Sequence, residues 1–155
     1  MNIRFATEGD IPGMIDLLQQ VGEVHHQIRP DIFRAGAQKY DEAALRELLR
    51  DSSRPILIGE LDGTVAGYAF CILKNTENDP VLMDSQSLYI DDLCVDEGHR
   101  GQGIAQALYA RVKEYARELG CNTITLNVWC GNKGALRFYE KAGLLPRNIT
   151  MEYKL

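Results

Sequence analysis

A glycine-rich turn between a strand-like segment and a helix-like segment carries the clearest chemical signal in the sequence. It spans residues 95–105 and reads Val-Asp-Glu-Gly-His-Arg-Gly-Gln-Gly-Ile-Ala. Such a turn leaves several backbone N–H groups without partners at the positive end of a helix dipole, where phosphate or diphosphate binds. Gly101 and Gly103 lack a Cβ, so a ligand can approach the backbone closely. The turn predicts a phosphate site, although a tight turn that binds no ligand has the same spacing.

Two better-known nucleotide-binding patterns are absent from this turn. A dinucleotide-binding Gly-x-Gly-x-x-Gly motif requires glycine at position 106, where the sequence has Gln106. A P-loop continues with Gly-Lys-Ser or Gly-Lys-Thr, and neither follows here. The sequence therefore argues against NAD-type dinucleotides and against ATP as ligands of the turn.

The elements that must position the turn alternate between strands and helices. Period-two alternation predicts a strand over residues 2–6, and helices are expected to begin near Thr7 and Asp41. The segment 23–39 has no sustained periodicity, which indicates a long loop or a broken helix. Asp62-Gly63 separates two β-rich runs and predicts a hairpin.

The remaining elements complete an alternating α/β order without an internal repeat. Further strands are expected over 86–96 and 122–129, helices over 103–119 and 132–142, and one or two last strands over 144–155. The resulting order is β-α-α-β-β-β-α-β-α-β-β. We expect a single domain over residues 1–155.

Composition and charge exclude several classes of protein. With 155 residues, 45% hydrophobic and 25% charged, the chain has the composition of a globular domain. Lys and Arg number 17 against 22 Asp and Glu, a net charge of −5 without a basic run, which argues against nucleic acid. The longest apolar stretch, residues 65–73, is too short for a membrane helix, which needs about 20 residues. No secretion signal is recognisable at residues 1–10, so a cytoplasmic location is expected.

The cysteines and histidines do not form a metal-binding pattern. The 4 cysteines are far apart, with no Cys-x-x-Cys pair, which favours reduced thiols over disulfides or zinc ligands. The 3 histidines include the adjacent His25 and His26, which cannot both enter one tetrahedral site with scattered cysteines. We expect no metal.

The residues Arg100-x-x-Gly103-x-Ala105, placed after a strand that ends at Val95, resemble the acyl-CoA-binding signature of the GNAT superfamily of N-acetyltransferases. A second segment resembles the strand and helix that follow in this family: Leu126-Asn127-Val128-Trp129, Asn132, Ala135, Phe138-Tyr139-Glu140 and Gly143. The element order is also the family's, so the resemblance covers essentially the whole chain. It implies a mixed central sheet of about seven strands, flanked by four helices, with a V-shaped opening between strands 4 and 5.

The resemblance implies acetyl-CoA as the co-substrate. The pantetheine arm of CoA would lie in the opening and pair with the main chain of Leu93 and Val95 like an added strand. Asn132 matches a position that often hydrogen-bonds this arm, and it is equally suited to cap the last helix. The CoA diphosphate would be held by the turn, through Arg100, Gly101, Gln102, Gly103, Ile104 and Ala105.

Tyr139 matches a tyrosine that the family often uses as general acid. The CoA thiol has a pKa near that of cysteine, about 8.5, so a phenol of pKa about 10 can protonate the departing thiolate. Tyr139 also shares a helical face with Ala135, Phe138 and Ala142, which fits an aromatic core residue. The resemblance favours the catalytic role.

An amine acceptor needs a general base, because an alkyl amine of pKa about 10.4 is protonated at neutral pH and only its neutral form attacks a thioester. Asp91 and Asp92, on the strand that borders the opening, are the candidates. Consecutive strand residues point to opposite faces, so only one should face the acceptor. Asp91 resembles the position of a glutamate in polyamine-acetylating relatives, and its shorter side chain suggests a bridging water. Asp92 as the base, or an ordinary ion pair, is the alternative.

In this family the segment between the first two helices borders the acceptor. His25, His26 and Arg29 in that segment, with Tyr89 on the cleft strand, are therefore candidates for acceptor recognition. A solvated loop is the alternative for the first three residues, and core packing is the alternative for Tyr89.

The resemblance thus predicts an acetyl-CoA-dependent N-acetyltransferase in which a primary amine, expected to be small, attacks the thioester directly in a ternary complex. A peptide α-amine or a lysine side chain is an alternative acceptor. A non-catalytic acyl-CoA-binding domain is the alternative from another class. Homodimers are common in the family, so a homodimer is among the expected assemblies.

Overall fold

The computed structural model describes residues 1–155 and contains one mixed sheet of five strands. The strands lie in chain order across the sheet, and neighbours are antiparallel except for the parallel pair β4 and β5. Their bounds are β1 Asn2–Phe5, β2 Ile56–Leu61, β3 Thr64–Thr76, β4 Ser85–Val95 and β5 Thr123–Leu126.

Four α-helices cover the sheet. They are α1 Ile11–Ile28, α2 Glu42–Leu48, α3 Ile104–Glu118 and α4 Lys133–Lys141, with short 3₁₀ turns at Glu8–Asp10 and Glu97–His99. None of the helices is both long enough and apolar enough to cross a membrane.

The sheet lies between helices on its two sides, which gives three layers, because both faces of the sheet are apolar. One core lies between the sheet and helices α1 and α2, and it includes Leu18, Leu45 and Tyr68. The other lies on the α3 side and includes Leu88, Leu108 and Val112. Alternation along each strand sends successive side chains into different cores. The elements that border the site are therefore held from both faces.

The hairpin expected at Asp62-Gly63 is confirmed. Leu61 pairs with Thr64 across a two-residue turn, and both turn residues have positive φ, 50° and 78°. This is the left-handed backbone conformation that favours Asp-Gly in such turns.

Three sequence-based predictions about the elements were wrong. The sheet has five strands rather than about seven, because no strand forms within residues 144–155. The strand expected over 122–129 ends at Leu126. The loop expected from residue 23 begins later, because α1 continues to Ile28. In this last turn the Nδ1 atom of His26 donates to the carbonyl of Phe33 at 2.8 Å, which ties the following loop back onto the helix.

An ion-pair cluster joins β1 to the start of α1. Asp10 is only 6% exposed, and it accepts hydrogen bonds from both terminal nitrogens of Arg4 at 2.8 Å. Arg4 also donates to Glu60 on β2. Asp10 closes a capping box with Thr7 as the sequence predicts. The Arg4 guanidinium lowers the pKa of Asp10 below its usual range, against the opposing effect of burial.

Asp10→Asn is expected to lower the free energy of unfolding at pH 7 by about 1–3 kcal/mol, because it removes the charge that accepts the Arg4 hydrogen bonds. The folded-state pKa of Asp10 is lowered, so its contribution is complete above the ordinary pKa of about 3.9 and is lost as the pH falls through the folded value. Urea titrations across this pH range measure the difference. Asp16→Asn, at an exposed position of α1, is the control and should be nearly neutral. A difference that persists at the lowest pH would contradict the assignment.

Candidate functional site

The two parallel strands β4 and β5 pair over only part of their length. Their register runs from Ser87 with Thr123 to Ile90 with Leu126. Beyond that point β4 continues to Val95, while β5 has ended. The last five residues of β4 therefore have a neighbour on the β3 side only.

The unpaired side of β4 presents main-chain groups of the two residues expected there. The Asp96 amide donates to the carbonyl of Ala66 at the start of β3, so the even-numbered residues at this end of β4 face β3. Leu93 and Val95 then direct their N–H and C=O groups toward the unpaired side. The carbonyl of Val95 receives only a long contact, 3.4 Å, from the Nε atom of Arg100. This edge can accept an extended ligand as an additional strand.

The glycine-rich turn lies where β4 ends and α3 begins. Gly101 and Gly103 have φ values of 79° and 81°, and a Cβ at either position would meet nothing within 4 Å. Gly103 is the N-cap of α3. The Ala107 amide donates to the carbonyl of Gly103, so the helical amides before Ala107 have no acceptor in the helix. These are the amides of Ile104, Ala105 and Gln106, and they are available to an anion, as the sequence predicts.

Asp96 and Gln20 hold the turn in place. Asp96 accepts hydrogen bonds from the Gly98 amide at 3.0 Å and from His99 Nδ1 at 2.9 Å. Gln20 of α1 donates to the second Asp96 oxygen at 2.8 Å and accepts from the Glu97 amide. The hydrogen bond from Gln20 lowers the pKa of Asp96, with a smaller contribution from His99. The turn is thereby anchored to α1 as well as to the sheet.

A β-bulge changes the orientation of the two carboxylates on β4. Phe70 pairs with Asp92 while Cys71 pairs with Ile90, so Asp91 has no partner of its own on β3. Asp92 contacts Tyr68 of the core under α1 and α2, and Asp91 contacts Tyr40, which stacks on Phe70 of the same core. Both carboxylates thus lie on one face. The expectation that they point to opposite faces was wrong, because the bulge interrupts the alternation.

Asp91 is paired with a cation of the chain. Lys39 Nζ lies 2.7 Å from its Oδ2 atom, and the Tyr40 hydroxyl donates to the same oxygen at 3.2 Å. The Asp91 side chain is 15% exposed and that of Lys39 is 47% exposed. Asp91 raises the pKa of Lys39, although burial alone would lower it. The pair keeps a primary ammonium group directly on a carboxylate of the site.

Asp92 has no such partner. Burial raises its pKa, and the hydrogen bond donated by the Tyr68 hydroxyl at 2.8 Å opposes this rise. The charge of Lys39, which is paired with the neighbouring Asp91, also lowers the pKa of Asp92. A carboxylate whose pKa is raised by burial is suited to accept a proton near neutral pH.

Tyr139 lies in α4, and its side chain is half-buried. Burial raises the pKa of the Tyr139 hydroxyl, and the charge of Asp92 raises it further. The ring packs edge to face on Phe138, at 5.1 Å between centroids. Tyr139 therefore stays protonated at neutral pH.

The four residues expected to recognise an acceptor differ in their surroundings. His25 stacks on Phe33 at 4.9 Å. The Nδ1 atom of His26 donates to the Phe33 carbonyl. Arg29 pairs with Asp31 and with Glu152 and lies 5.9 Å from the Trp129 ring centroid. His26 and Arg29 are therefore held by groups of the chain itself.

Tyr89 and Asn132 make contacts with the protein itself. Asn127 Nδ2 donates to the Tyr89 hydroxyl at 3.3 Å, and Lys74 lies over the Tyr89 ring. Burial raises the pKa of Tyr89, as does the charge of Asp91. Tyr89 and Asp91 are two residues apart on β4, so their side chains lie on the same face. Asn132 caps α4 by accepting from the Ala135 amide at 3.1 Å.

Sequence reasoning missed the residues that surround the two carboxylates. Tyr68 lies within an apolar strand, and nothing in its spacing distinguishes it from other core aromatics. Lys39 and Tyr40 lie in a loop whose course the sequence does not predict. Asp96 had a usable signal, since an Asp two residues before a glycine at a strand end is typical of a side chain that binds the turn backbone.

Comparisons with known proteins agree with this geometry. The profile of the acetyltransferase (GNAT) family matches residues 22–144. The thialysine N-epsilon-acetyltransferase of Bos taurus is 28% identical over 150 residues, covering 91% of this chain and 82% of the bovine protein. The uncharacterized N-acetyltransferase MJ1207 of Methanocaldococcus jannaschii is 28% identical over 102 residues, covering 66% of this chain. The match spans 44% of the archaeal protein's length.

A solved structure has the same fold throughout. The tetramutant of the BH1408 protein from Bacillus halodurans is 30% identical, with a TM-score of 0.95, and the match covers 100% of both chains. The family profile covers well over half of the residues and includes β4, the glycine-rich turn, α3 and α4. The chain therefore belongs to the GNAT family of acetyltransferases and is an acyltransferase.

Proposed function

We propose that the protein transfers an acetyl group from acetyl-CoA to the primary amine of a small molecule. The observation that carries this proposal is the unpaired edge of β4, which runs from the glycine-rich turn to the two carboxylates. A CoA diphosphate on the amides of residues 101–105 and a pantetheine arm along Leu93 and Val95 would bring the thioester to Asp91 and Asp92. Asn132, the N-cap of α4, would hydrogen-bond the pantetheine arm.

The acceptor nitrogen loses two protons in the reaction, and the sulfur of CoA gains one. Asp92 takes the first proton from the acceptor ammonium, directly or through a water molecule, and later releases it to solvent. The neutral amine attacks the thioester carbonyl carbon, the tetrahedral intermediate expels the CoA thiolate, and the Tyr139 hydroxyl protonates the sulfur. The second proton of the nitrogen then passes, through water, to the Tyr139 oxygen and restores the phenol. We assign the base to Asp92 rather than to Asp91 because Asp91 is neutralised by Lys39, whereas burial raises the pKa of Asp92.

A small amine as acceptor is supported by charge and by one relative. Asp92 has no cationic partner within the chain and accepts a hydrogen bond from the Tyr68 hydroxyl, so its charge is available to a cationic acceptor. The bovine relative, which aligns over most of the chain, is named for acetylating the ε-nitrogen of thialysine. His25, in the last turn of α1, would contribute to the recognition of such an acceptor.

Acetyl-CoA is expected to raise the melting temperature by roughly 5–10 °C at about 100 times its Kd, because it binds only the folded protein. NAD and ATP should have no such effect. Gly103→Ala should weaken this shift, since a side chain at φ 81° strains the amides that hold the diphosphate. Gly120→Ala is the matched control, because Gly120 has a φ of 73° and an equally open surrounding at the far end of α3. Scanning calorimetry measures the melting temperature of each variant with and without acetyl-CoA. Equal shifts in Gly103→Ala and Gly120→Ala would refute the placement of CoA.

Tyr139→Phe is expected to lower kcat by about 10-fold or more, the range of general-acid effects, while the Kd for acetyl-CoA changes little. Free-thiol release with an amine panel measures the rate, and calorimetry measures the affinity. Tyr109→Phe is the control, because Tyr109 also packs on Phe138 and its hydroxyl has no role in the proposed reaction. Unchanged turnover in Tyr139→Phe would remove the proposed acid.

The pH dependence of kcat in variants of Asp91 and Asp92 distinguishes which of the two carboxylates is the general base. In the wild type kcat should rise with pH through the pKa of Asp92, because the base must be deprotonated. Tyr68→Phe removes a hydrogen bond that lowers this pKa, so the rise should move to higher pH. Asp92→Asn should abolish the rise, and Asp91→Asn should keep it. A rise retained in Asp92→Asn and lost in Asp91→Asn would assign the base to Asp91.

A further inference from the structure

Lys39 places an ammonium group of the chain on a carboxylate beside the proposed base. Its Nζ atom lies 2.7 Å from Oδ2 of Asp91, and Asp91 is next to Asp92 on β4. Because the bulge turns both carboxylates to one face, Asp91 is the neighbouring carboxylate of any amine bound at Asp92. Lys39 therefore lies where a second ammonium group of an acceptor would find a counter-charge.

Asp91 is positioned by a further contact that does not need Lys39. The Tyr40 hydroxyl donates to Asp91 at 3.2 Å and accepts from the Arg54 guanidinium at 3.2 Å. A guanidinium only donates hydrogen bonds, so Arg54 occupies a lone pair of the hydroxyl and leaves the hydroxyl proton for Asp91. The Tyr40 ring stacks on Phe70 with 5.8 Å between centroids. Asp91 would therefore keep its place without the Lys39 ammonium group.

The main chain beside Lys39 is fixed, whereas its side chain can be displaced. Gln38 donates to the Tyr40 carbonyl at 2.7 Å and accepts from Gln19 of α1 at 3.2 Å. These contacts tie the chain on both sides of Lys39 to the helix. The Lys39 side chain itself is half in solvent and passes over the Tyr40 ring to reach Asp91. Ion pairs with an exposed partner are weak, so another cation can compete for this carboxylate.

The charges on this face leave room for a single additional cation. Asp91 is neutralised by Lys39, and Asp92 has no such partner. Lys74 brings a second ammonium group, 3.7 Å from the ring centroid of Tyr89, which shares the face of Asp91. A second ammonium group of an acceptor would thus be repelled by Lys74 and would have to displace Lys39.

We propose that Lys39 is a specificity-determining residue, whose ammonium group occupies the subsite at Asp91 and selects acceptors with one net positive charge. A monoamine needs only Asp92, whereas a diamine must first displace Lys39. Since Lys39 belongs to the same chain, it competes with free amines at an effective concentration on the order of millimolar. The inference rests on the proposed function for the reaction, but occupancy of Asp91 is a property of the binding site alone.

Titration calorimetry of the CoA-saturated protein tests this occupancy without acetyl transfer. The probes are tetramethylenediamine and butylamine, which differ by one ammonium group. Lys39→Met keeps the length of the side chain and removes its charge, so the Kd of the diamine should fall by about 5-fold or more relative to that of the monoamine. Lys39→Arg restores the cation and should retain the wild-type ratio of the two Kd values. An unchanged ratio in Lys39→Met would overturn the inference.

A double variant and a matched control assign the effect to Asp91. Lys39→Met/Asp91→Asn should lose the gain in diamine affinity, because the subsite then has no carboxylate. Lys113→Met is the control, since the Lys113 ammonium lies over the Tyr109 ring in the core on the α3 side, much as Lys39 lies over Tyr40. Circular dichroism shows that each variant is folded. A gain that persists in the double variant, or an equal gain in Lys113→Met, would contradict the assignment.

Free-thiol release with acetyl-CoA separates specificity from other roles of Lys39. The ratio of kcat/KM for the diamine to that for butylamine should rise about 5-fold or more in Lys39→Met. If Lys39 instead bound an anionic group of the acceptor, Lys39→Met would weaken turnover of aminobutyrate and leave the diamine ratio unchanged, which would refute the proposal. Tighter diamine binding in Lys39→Met without turnover of any amine would refute the proposed function and support the subsite.

Discussion

The site depends on the point at which β4 and β5 stop sharing hydrogen bonds. The ladder ends at Ile90 and Leu126, and β4 continues alone for five residues. Main-chain groups in a sheet interior would normally be satisfied by a neighbouring strand, so this edge is open to an extended ligand. The glycine-rich turn at the end of the same strand adds unpaired amides. The open edge and the unpaired amides therefore lie end to end along one strand and the turn that follows it.

The bulge at Asp91 is the second feature on which the chemistry depends. Without it, Asp91 and Asp92 would face different cores, and one would be buried beneath α3 among apolar residues. With the bulge, both side chains lie on one face. There Asp91 contacts Tyr40 and Lys39, and Asp92 contacts Tyr68. Their environments differ, because a cation lies on Asp91 while burial raises the pKa of Asp92. Two adjacent and chemically identical side chains thereby acquire different properties.

Local signals in the sequence were sufficient for the elements and the turn. Asp62-Gly63 requires positive φ, and Gly101 and Gly103 require it as well, so their conformations follow from residue type. The bulge could not be read from the sequence, because it arises from the register between two strands that are distant in the chain. The contacts of Lys39 depend on the path of a loop without periodicity. The segment 149–154 has the pattern of a strand, but a strand also needs a partner, and this segment pairs with no strand of the sheet.

The thiols near the site bear on whether the acetyl group passes through the enzyme. Cys71 and Cys94 lie on β3 and β4, and burial raises the pKa of each to about 12. At pH 7 only about one molecule in 10⁵ would carry the thiolate at either position, and the thiolate is the nucleophile. Neither cysteine has a histidine within hydrogen-bonding distance to activate it. The Cys94 thiol donates to the carbonyl of Leu17 instead. An acetyl-cysteine intermediate would therefore need a group that these strands do not provide, whereas direct attack by an amine beside Asp92 needs only the residues already at the opening.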